Sequence, residues 1–218
     1  MNKIISFIQV KGGAGKSTIA TNIAGMIATN KKVALIDCDL PQATSASWAA
    51  IRDGEITTVT ASNHVELVEQ ATALQDNHDI IIIDAPPRIA EITKAALILS
   101  DLCLVPLGAS TPEIWSTVDL LETVEEAKKR KADIDVRIIW NRFRATTKSA
   151  HELSAEATKQ LSLKALKSKL GYRVAYIEAI GRGMTVLEWT DKKAKDEMKA
   201  LGSELERILK FKFMRGIT

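Results

Sequence analysis

The chain has 218 residues, of which 46% are hydrophobic and 26% are charged, and these proportions suit one domain with a sizeable core over residues 1–218. Its apolar runs are far shorter than the roughly 18 residues that a bilayer span needs, and the N-terminus lacks a signal-peptide pattern, so we expect a cytoplasmic protein. Two cysteines are too few for a disulfide framework or a four-cysteine zinc site.

The net charge of +3 is unevenly distributed along the chain. Residues 1–109 carry 8 Lys or Arg against 11 Asp or Glu, whereas residues 110–218 carry 22 against 16. From residue 142 to residue 173, eight basic residues face only two glutamates. This asymmetry indicates either a polyanionic partner for the second half or a solvated basic surface.

Short apolar runs alternate with helical patterns along the chain. Strands are predicted over 4–10, 33–36, 57–60, 80–83, 102–105, 136–140 and 173–177. Helices are predicted over 16–29, 64–75, 89–99, 112–131, 149–170 and 191–210, with Thr111 as the cap before Pro112. This alternation predicts an α/β fold with a mostly parallel, twisted sheet and helices on both faces. In such sheets ligands bind outside the carboxyl ends of the strands.

A glycine-rich loop follows the first predicted strand and precedes the first predicted helix. It reads Lys11-Gly12-Gly13-Ala14-Gly15-Lys16-Ser17-Thr18. Glycines let the backbone wrap closely around phosphates, and the helix N-terminus adds its partial positive charge at the same point. Lys16 would reach the β- and γ-phosphates, and the Ser17 hydroxyl would bind Mg²⁺. The pattern therefore predicts a nucleotide-binding loop for ATP with Mg²⁺.

The loop departs from the ordinary G-x-x-x-x-G-K-[ST] pattern, because Val10 takes the position of the first glycine and Lys11 opens the loop. This form resembles the deviant Walker A motif of the ParA/MinD family of ATPases. The resemblance implies that Lys11 reaches across a homodimer interface to the phosphates of the partner subunit's nucleotide. A cation that arrives only on dimerisation would couple dimerisation to the nucleotide state.

The segment Asp37-Cys38-Asp39-Leu40-Pro41-Gln42 resembles the second motif of that family, D-x-D-P-Q, with Leu40 inserted before Pro41. The resemblance implies that Asp39 orients or activates the attacking water and that Asp37 supports the Mg²⁺ shell. The alternative for either aspartate is a cap on the next helix. The inserted residue weakens the transfer of these roles.

Asp84 follows four isoleucines, which is the Walker B arrangement, and Ala85-Pro86-Pro87 after it resembles the family's D-x-P-P segment. Such a carboxylate is aimed at Mg²⁺ through a coordinated water. We interpret Cys38 and Cys103 as small packing residues. Without a C-x-x-C pair, the sequence argues against the iron–sulfur carriers that share this loop.

The second half carries weaker parts of the resemblance. Trp140-Asn141-Arg142 is similar to an N-R element beside the adenine, which makes Asn141 the candidate base contact or else a turn residue. Residues 172–176 and 183–188 match the pattern of small ParA proteins. The resemblance covers the chain from Lys3 to about residue 209 and implies a single P-loop ATPase domain.

By the same resemblance, the ATP-bound dimer binds DNA without reading its sequence. Such binding needs Lys and Arg spread over one face, because phosphate contacts carry no base information. The candidates are Lys148, Lys164, Lys167, Lys169, Arg173, Lys192, Lys193, Lys195 and Lys199. For each of them the alternative is an ordinary solvated surface residue.

Three interpretations remain open. The first is a small, nucleoid-associated partition ATPase without an N-terminal helix-turn-helix, slow until a cargo-bound partner protein stimulates it, whose cargo is a plasmid, a chromosome or a protein assembly. The second is a MinD-like membrane-positioning ATPase that uses the basic, apolar tail over 208–215, although the alternation of its apolar residues favours packing. The third is an inactive nucleotide-binding module, which the inserted Leu40 keeps open.

Overall fold

The computed structural model describes residues 2–52, 54 and 56–214. This part of the chain forms seven strands and eight helices. The strands are β1 (Lys3–Phe7), β2 (Val33–Asp37), β3 (Thr57–Thr60), β4 (Ile80–Asp84), β5 (Leu102–Leu107), β6 (Val136–Phe143) and β7 (Lys164–Gly171). The helices are α1 (Lys16–Ala28), α2 (Thr44–Arg52), α3 (His64–Gln75), α4 (Ala90–Leu99), α5 (Thr111–Lys128), α6 (Lys148–Gln160), α7 (Ala175–Ile180) and α8 (Lys192–Leu209).

All strand pairs are parallel, and the strands lie in the order β3-β2-β4-β1-β5-β6-β7. Phe7, at the end of β1, lies opposite Asp84, at the end of β4, and Asp84 also lies opposite Asp37, at the end of β2. Three neighbouring strands therefore end level with one another. This register brings the glycine loop and two strand-end carboxylates to one edge of the sheet.

Apolar side chains cover both faces of the sheet, as the fold class predicted. The isoleucines of β4 alternate, so that Ile81 and Ile83 pack in one core while Ile80 and Ile82 pack in the other. The first core includes residues of α3, α4, α5 and α6, and the second includes residues of α1, α2, α7 and α8. A strand that is buried on both faces has no polar alternation, which explains the unbroken apolar run.

The predictions for the segment after α6 were wrong. Residues 164–170 belong to the predicted helix 149–170 but lie in the edge strand β7, and 173–177 was predicted as a strand but leads into α7. The preceding helix ends at Gln160, and Ser162 takes a positive φ of 52° that breaks the helical pattern. In β7, Leu166 and Leu170 are buried and lie four residues apart, whereas Lys164 and Lys167 are exposed, so the buried residues follow the two-residue period of a strand. Pairing with β6 thus outweighs the local helical preference.

Two smaller expectations also needed correction. Helix α2 was not predicted, since its serines and alanines carry no clear apolar period. The cap of α5 is Ser110 rather than Thr111, which is the first helical residue with Pro112 directly after it. Such one-residue shifts are usual at helix ends.

The C-terminal tail folds back on the core. Helix α8 ends at Leu209, and Lys210 takes a left-handed conformation with φ 51° that turns the chain. The Glu206 carboxylate then accepts the backbone N–H groups of Phe213 and Met214 at 2.7 and 2.8 Å, and Phe213 is buried. Residue 215, the last of the predicted membrane tail, lies outside the described residues. Among the described helices, none combines the length and the apolar character that crossing a bilayer requires.

Candidate functional site

The glycine loop joins β1 to α1 in the strand–loop–helix context that a phosphate-binding loop requires. Gly13 and Gly15 take positive φ values of 75° and 96°, which side-chain-bearing residues rarely adopt. A Cβ atom built on Gly15 would lie 2.2 Å from Asn141 Nδ2, so the loop packs tightly there. By contrast, a Cβ on Gly12 or Gly13 would meet nothing within 4 Å, so the space beside these two glycines is open.

Lys16 begins α1 and lies in the mouth of the site. Its side chain is largely buried, with the residue only 6% exposed. Burial lowers the pKa of Lys16, and the negative charges of Asp84 and Asp39 oppose that shift. The ammonium group therefore lies near two carboxylates and in the lining of the cleft over the glycine loop, where it can meet a phosphate.

Asp84 ends β4 and is fully buried. One of its oxygens, Oδ2, accepts a hydrogen bond from Ser45 Oγ at 2.6 Å, while Oδ1 has no partner of good geometry within the described chain. Burial raises the pKa of Asp84 to about 6, although the hydroxyls of Ser45 and Ser17 and the charge of Lys16 lower it. A buried carboxylate oxygen without a partner, close to a hydroxyl, suits a hard cation or its bound water.

Asp37 and Asp39 stand at the end of β2 with different surroundings. Asp37 is fully buried, and its two oxygens accept the backbone N–H groups of Asp39 and Ala46 at 3.0 and 2.9 Å. Burial raises the pKa of Asp37, and these hydrogen bonds lower it. Asp39 is only half-buried and faces a cleft. Asp37 thus fixes the loop that presents Asp39, and its direct part in a metal shell stays a prediction.

A cleft of about 400 Å³ lies over the glycine loop. Its lining residues are Gly12, Gly13, Gly15, Lys16, Ser17, Thr18, Asp39, Gln42, Thr44 and Pro87. The structure thus brings most of the predicted loop together with Asp39. Gln42 and Thr44 are additional lining residues, and their place directly after the D-x-D segment is the signal that could have singled them out.

Lys11 is placed differently from Lys16. It is half-buried and lines a neighbouring cleft of about 500 Å³, together with Arg88 and Ile89 after β4 and with Asp119 of α5. It is not among the residues that line the cleft over its own loop. The lysine therefore sits at the rim of the site rather than within it.

Asn141, near the end of β6, lies behind the glycine loop. Its Nδ2 donates to the carbonyl oxygen of Ala14 at 2.9 Å, and its Oδ1 accepts the backbone N–H of Arg142. The buried side chain therefore supports the loop that Ala14 belongs to. The predicted contact of Asn141 with a base stays a prediction.

The two cysteines, Cys38 and Cys103, are both buried in the core that includes α3, α4, α5 and α6. Burial raises the pKa of each thiol, that of Cys103 to about 12. A raised pKa keeps the thiol protonated at neutral pH, and a protonated thiol is a poor nucleophile and a poor metal ligand. The residues thus behave as packing residues.

The nine predicted DNA contacts are distributed over α6, β7, the segment after β7 and α8, and three of them are engaged within the chain. The Arg173 guanidinium pairs with Glu197 at 2.6 Å, and Lys169 Nζ lies 4.0 Å from the centre of the Phe143 ring. Lys148 pairs with a glutamate one turn later on its own helix, but this pair is highly exposed. Arg173 and Lys169 are therefore weaker candidates than the sequence indicated.

The remaining candidates lie on β7 and on two sides of α8. Glu197 and Glu204 face β7, where they accept backbone N–H groups of Gly171, Lys167 and Ser168. Lys193, four residues before Glu197, lies on that same flank of α8, whereas Lys164 and Lys167 belong to β7 itself. A separate flank carries Lys192, Lys195 and Lys199, spaced by three and four residues, and is called the outer flank of α8 below.

A glycine loop between a strand and a helix, a buried lysine and carboxylates at the ends of adjacent parallel strands together define a P-loop nucleotide-binding protein. The chain belongs to the family described as the CobQ/CobB/MinD/ParA nucleotide binding domain, whose model matches residues 5–186. This assignment confirms the ParA/MinD resemblance of the glycine loop.

Relatives and solved structures agree with the family and the fold. Maintenance of carboxysome distribution protein A from Halothiobacillus neapolitanus is 27% identical over 209 residues, which cover 92% of this chain and 95% of that protein. The sporulation initiation inhibitor protein Soj from Bacillus subtilis is 26% identical over 231 residues, covering 86% and 91%. The structure of an ATP complex of a Cyanothece McdA variant superposes with a TM-score of 0.80 at 18% identity, covering 98% of each chain.

Proposed function

We propose that the chain is an ATP-dependent positioning ATPase. The observation that carries the proposal is the loop with two lysines. Lys16 lies in the cleft near the carboxylates of Asp39 and Asp84, and Lys11 lines the neighbouring cleft. A single-site nucleotide binder needs only the inner lysine. A second cation at the rim suits a site that a neighbouring subunit completes.

The described residues fit ATP with Mg²⁺. No group of three or more His, Cys, Asp and Glu within the described part of the chain could hold a metal ion alone. This suits Mg²⁺, which proteins bind through few side chains and the phosphates of a nucleotide. Ser17 would supply a hydroxyl and Asp84 its free oxygen, with Asp37 supporting the loop beside them. When bound, Mg²⁺ neutralises charge on the phosphate oxygens.

The backbone and side chains of the site then have separate roles in ATP hydrolysis. The backbone of residues 12–18 cradles the phosphates, and Lys16 pairs with the β- and γ-oxygens. Asp39, half-buried on the open side of the cleft, holds the attacking water and accepts its proton. Asp37 positions Asp39 through the hydrogen bond to its backbone N–H.

Dimerisation would bring Lys11 of one subunit to the nucleotide of the other. In the described chain Lys11 lines the neighbouring cleft, so it is not committed to its own phosphates. Positive charge that arrives with the partner stabilises the transition state only in the dimer. The site alone would therefore hydrolyse ATP slowly, below the roughly 10 turnovers per second of typical enzymes. A cargo-bound partner protein would then stimulate hydrolysis.

We infer that the ATP-bound dimer holds DNA non-specifically and thereby positions a cargo. The basic second half of the chain supports a polyanionic partner, and the lysines on the outer flank of α8 are the best-placed group. One related protein is named for carboxysome distribution, so a protein assembly is a candidate cargo besides DNA. Association with the nucleoid would follow from such DNA binding.

The membrane alternative has less support. Its predicted anchor would need a free apolar tail, but Leu209 and Phe213 are buried and Glu206 holds the backbone after α8. Exposing them would break these contacts.

The experiment that tests the proposal is binding to non-specific double-stranded DNA with no nucleotide, with ADP and with ATP–Mg²⁺, repeated over a salt series. We expect binding only with ATP–Mg²⁺, weakening steeply as salt rises. Liposomes of anionic lipid serve as the parallel probe. Binding to liposomes but not to DNA would overturn the DNA part of the proposal in favour of the membrane alternative.

A further inference from the structure

The first turn of α2 contacts both strand-end carboxylates. Ser45 Oγ donates to Asp84 Oδ2 at 2.6 Å, and the backbone N–H of Ala46 donates to Asp37 Oδ2 at 2.9 Å. Ser45, Asp37 and Asp84 are all fully buried. Ser45 therefore touches the site from behind, since it is not among the residues that line the cleft.

The Ser45 hydroxyl determines how the Asp84 carboxylate is oriented. A carboxylate with one oxygen fixed by a short hydrogen bond has little freedom to rotate, so the direction of its other oxygen is also defined. That other oxygen, Oδ1, is the one without a partner of good geometry in the described chain. The Ser17 hydroxyl is near enough to lower the pKa of the same carboxyl group.

Contacts at the far end of α2 keep Ser45 in place. Trp48 is 1% exposed, and its Nε1 donates to the carbonyl oxygen of Met184 at 3.0 Å. Arg52 Nη1 donates to the carbonyl oxygen of Gly183 at 3.1 Å and pairs with Glu188 at 2.9 Å. The helix is thus tied to the segment after α7 at one end and to the strand-end carboxylates at the other.

We propose that Ser45 is a positioning residue for the magnesium-dependent part of nucleotide binding. By holding Asp84 Oδ2, it presents Oδ1 to the side where Ser17 and the phosphates of a bound nucleotide meet. Residues that orient a metal's ligands typically change metal affinity about 10- to 100-fold when they are removed. The inference rests on the proposed function, because it requires ATP with Mg²⁺ in the cleft.

The test is the Ser45→Ala variant, titrated with Mg²⁺ in the presence of a non-hydrolysable fluorescent ATP analogue. The matched control is Ser47→Ala, which removes a hydroxyl from the exposed side of the same helix. We expect Ser45→Ala to raise the Mg²⁺ concentration for half-maximal binding about tenfold or more, and Ser47→Ala to leave it unchanged. Affinity for the analogue in EDTA should be the same in all three proteins.

Several outcomes would overturn the inference. An unchanged Mg²⁺ midpoint in Ser45→Ala would show that the hydroxyl does not position Asp84 for the metal. An equal loss of affinity in EDTA and in Mg²⁺ would show a general structural effect instead. Either result leaves the proposed function standing, whereas a wild-type protein whose nucleotide affinity ignores Mg²⁺ would overturn both. Thermal unfolding of Ser45→Ala establishes beforehand that the variant is folded.

Discussion

The side chains of the candidate site are charged groups held in places that disfavour charge. Asp84 is fully buried, and the pKa of this carboxyl rises from 3.8 to about 6 because burial penalises the ionised form. Lys16 shows the complementary effect, since its pKa is lowered by burial. Such opposed shifts are typical of sites that await a charged ligand.

The buried Asp84 carboxylate should destabilise the nucleotide-free protein at neutral pH. Because its folded pKa lies above its unfolded pKa, the folded state binds more protons, and stability falls as pH rises from about 4 to about 6. The Asp84→Asn substitution removes the destabilisation that comes from burying an ionised carboxylate. We expect the variant to gain on the order of 2–3 kcal/mol in free energy of unfolding at pH 8, with the gain fading below pH 4.

Urea unfolding in EDTA at pH 4, 6 and 8 measures this gain. Asp196→Asn, on the exposed side of α8, is the control and should change stability little at any pH. A constant difference between Asp84→Asn and wild type across the pH range would contradict the assigned cause.

The two loop lysines should fail in different ways. Lys16→Ala removes the main phosphate cation inside the cleft and should abolish ATP binding. Lys11→Ala should spare ATP binding by the monomer but lose nucleotide-dependent dimers and hydrolysis, because Lys11 lies at the rim. Equilibrium binding of a fluorescent ATP analogue and light scattering separate the two effects. Lys32→Ala, a substitution of an exposed lysine outside the glycine loop, is the control, and dimers with intact turnover in Lys11→Ala would refute its role.

At the scale of elements, the arrangement of β7 and α8 divides the basic residues into groups. Glu197 and Glu204 tie α8 to the edge strand and also neutralise or cover part of its basic surface. The outer flank of α8 keeps three lysines on one side of an 18-residue helix. A rigid row of cations is better suited to track DNA phosphates than side chains held in internal pairs.

Charge reversal can distinguish the outer flank of α8 from the edge strand β7 as the DNA-binding surface. The triple variant Lys192→Glu, Lys195→Glu and Lys199→Glu should weaken ATP-dependent DNA binding and flatten its salt dependence by about 0.9 in log–log slope for each DNA phosphate that is no longer neutralised. The double variant Lys164→Glu and Lys167→Glu should have a smaller effect. Fluorescence anisotropy over a salt series measures both, with ATP binding as the control. A larger decrease of DNA affinity in the double variant would assign the interface to the edge strand instead.

At the scale of the whole molecule, the proposed catalytic site is one that a second subunit would complete. Asp39 lines the cleft over its own glycine loop, whereas Lys11 lines the neighbouring cleft. If these two residues serve the same phosphates from different subunits, each subunit supplies one of the two groups at each site. Hydrolysis then depends on assembly as well as on nucleotide.

Mixing two inactive variants tests this division. Lys11→Ala retains Asp39, and Asp39→Ala retains Lys11, so a mixed dimer contains one site with both groups. We expect the mixture to recover up to about a quarter of wild-type ATP turnover, while each variant alone stays inactive. No recovery, although mixed dimers form by light scattering, would indicate that Lys11 acts within its own subunit.

Much of the fold and the central part of the site could be predicted from local patterns. The runs that became β2, β4 and β5 are apolar because both faces of the sheet are covered, and that signal does not depend on distant residues. The glycine loop was equally clear, because close approach to phosphates restricts both its residue types and their spacing. Its assignment to the CobQ/CobB/MinD/ParA family confirmed the resemblance.

The structural features that the sequence did not predict depend on contacts between residues that are far apart in the chain. Strand β7 forms because its backbone pairs with β6 and binds Glu204, whereas local preference alone pointed to a helix. Ser45 reaches Asp84, 39 residues later, only because β2 and β4 lie side by side with their ends level. Local chemistry thus predicted which residues could bind a nucleotide. Their orientation, the pairing of Arg173 and the division of the lysines followed from packing, because those contacts join segments whose separation no short motif records.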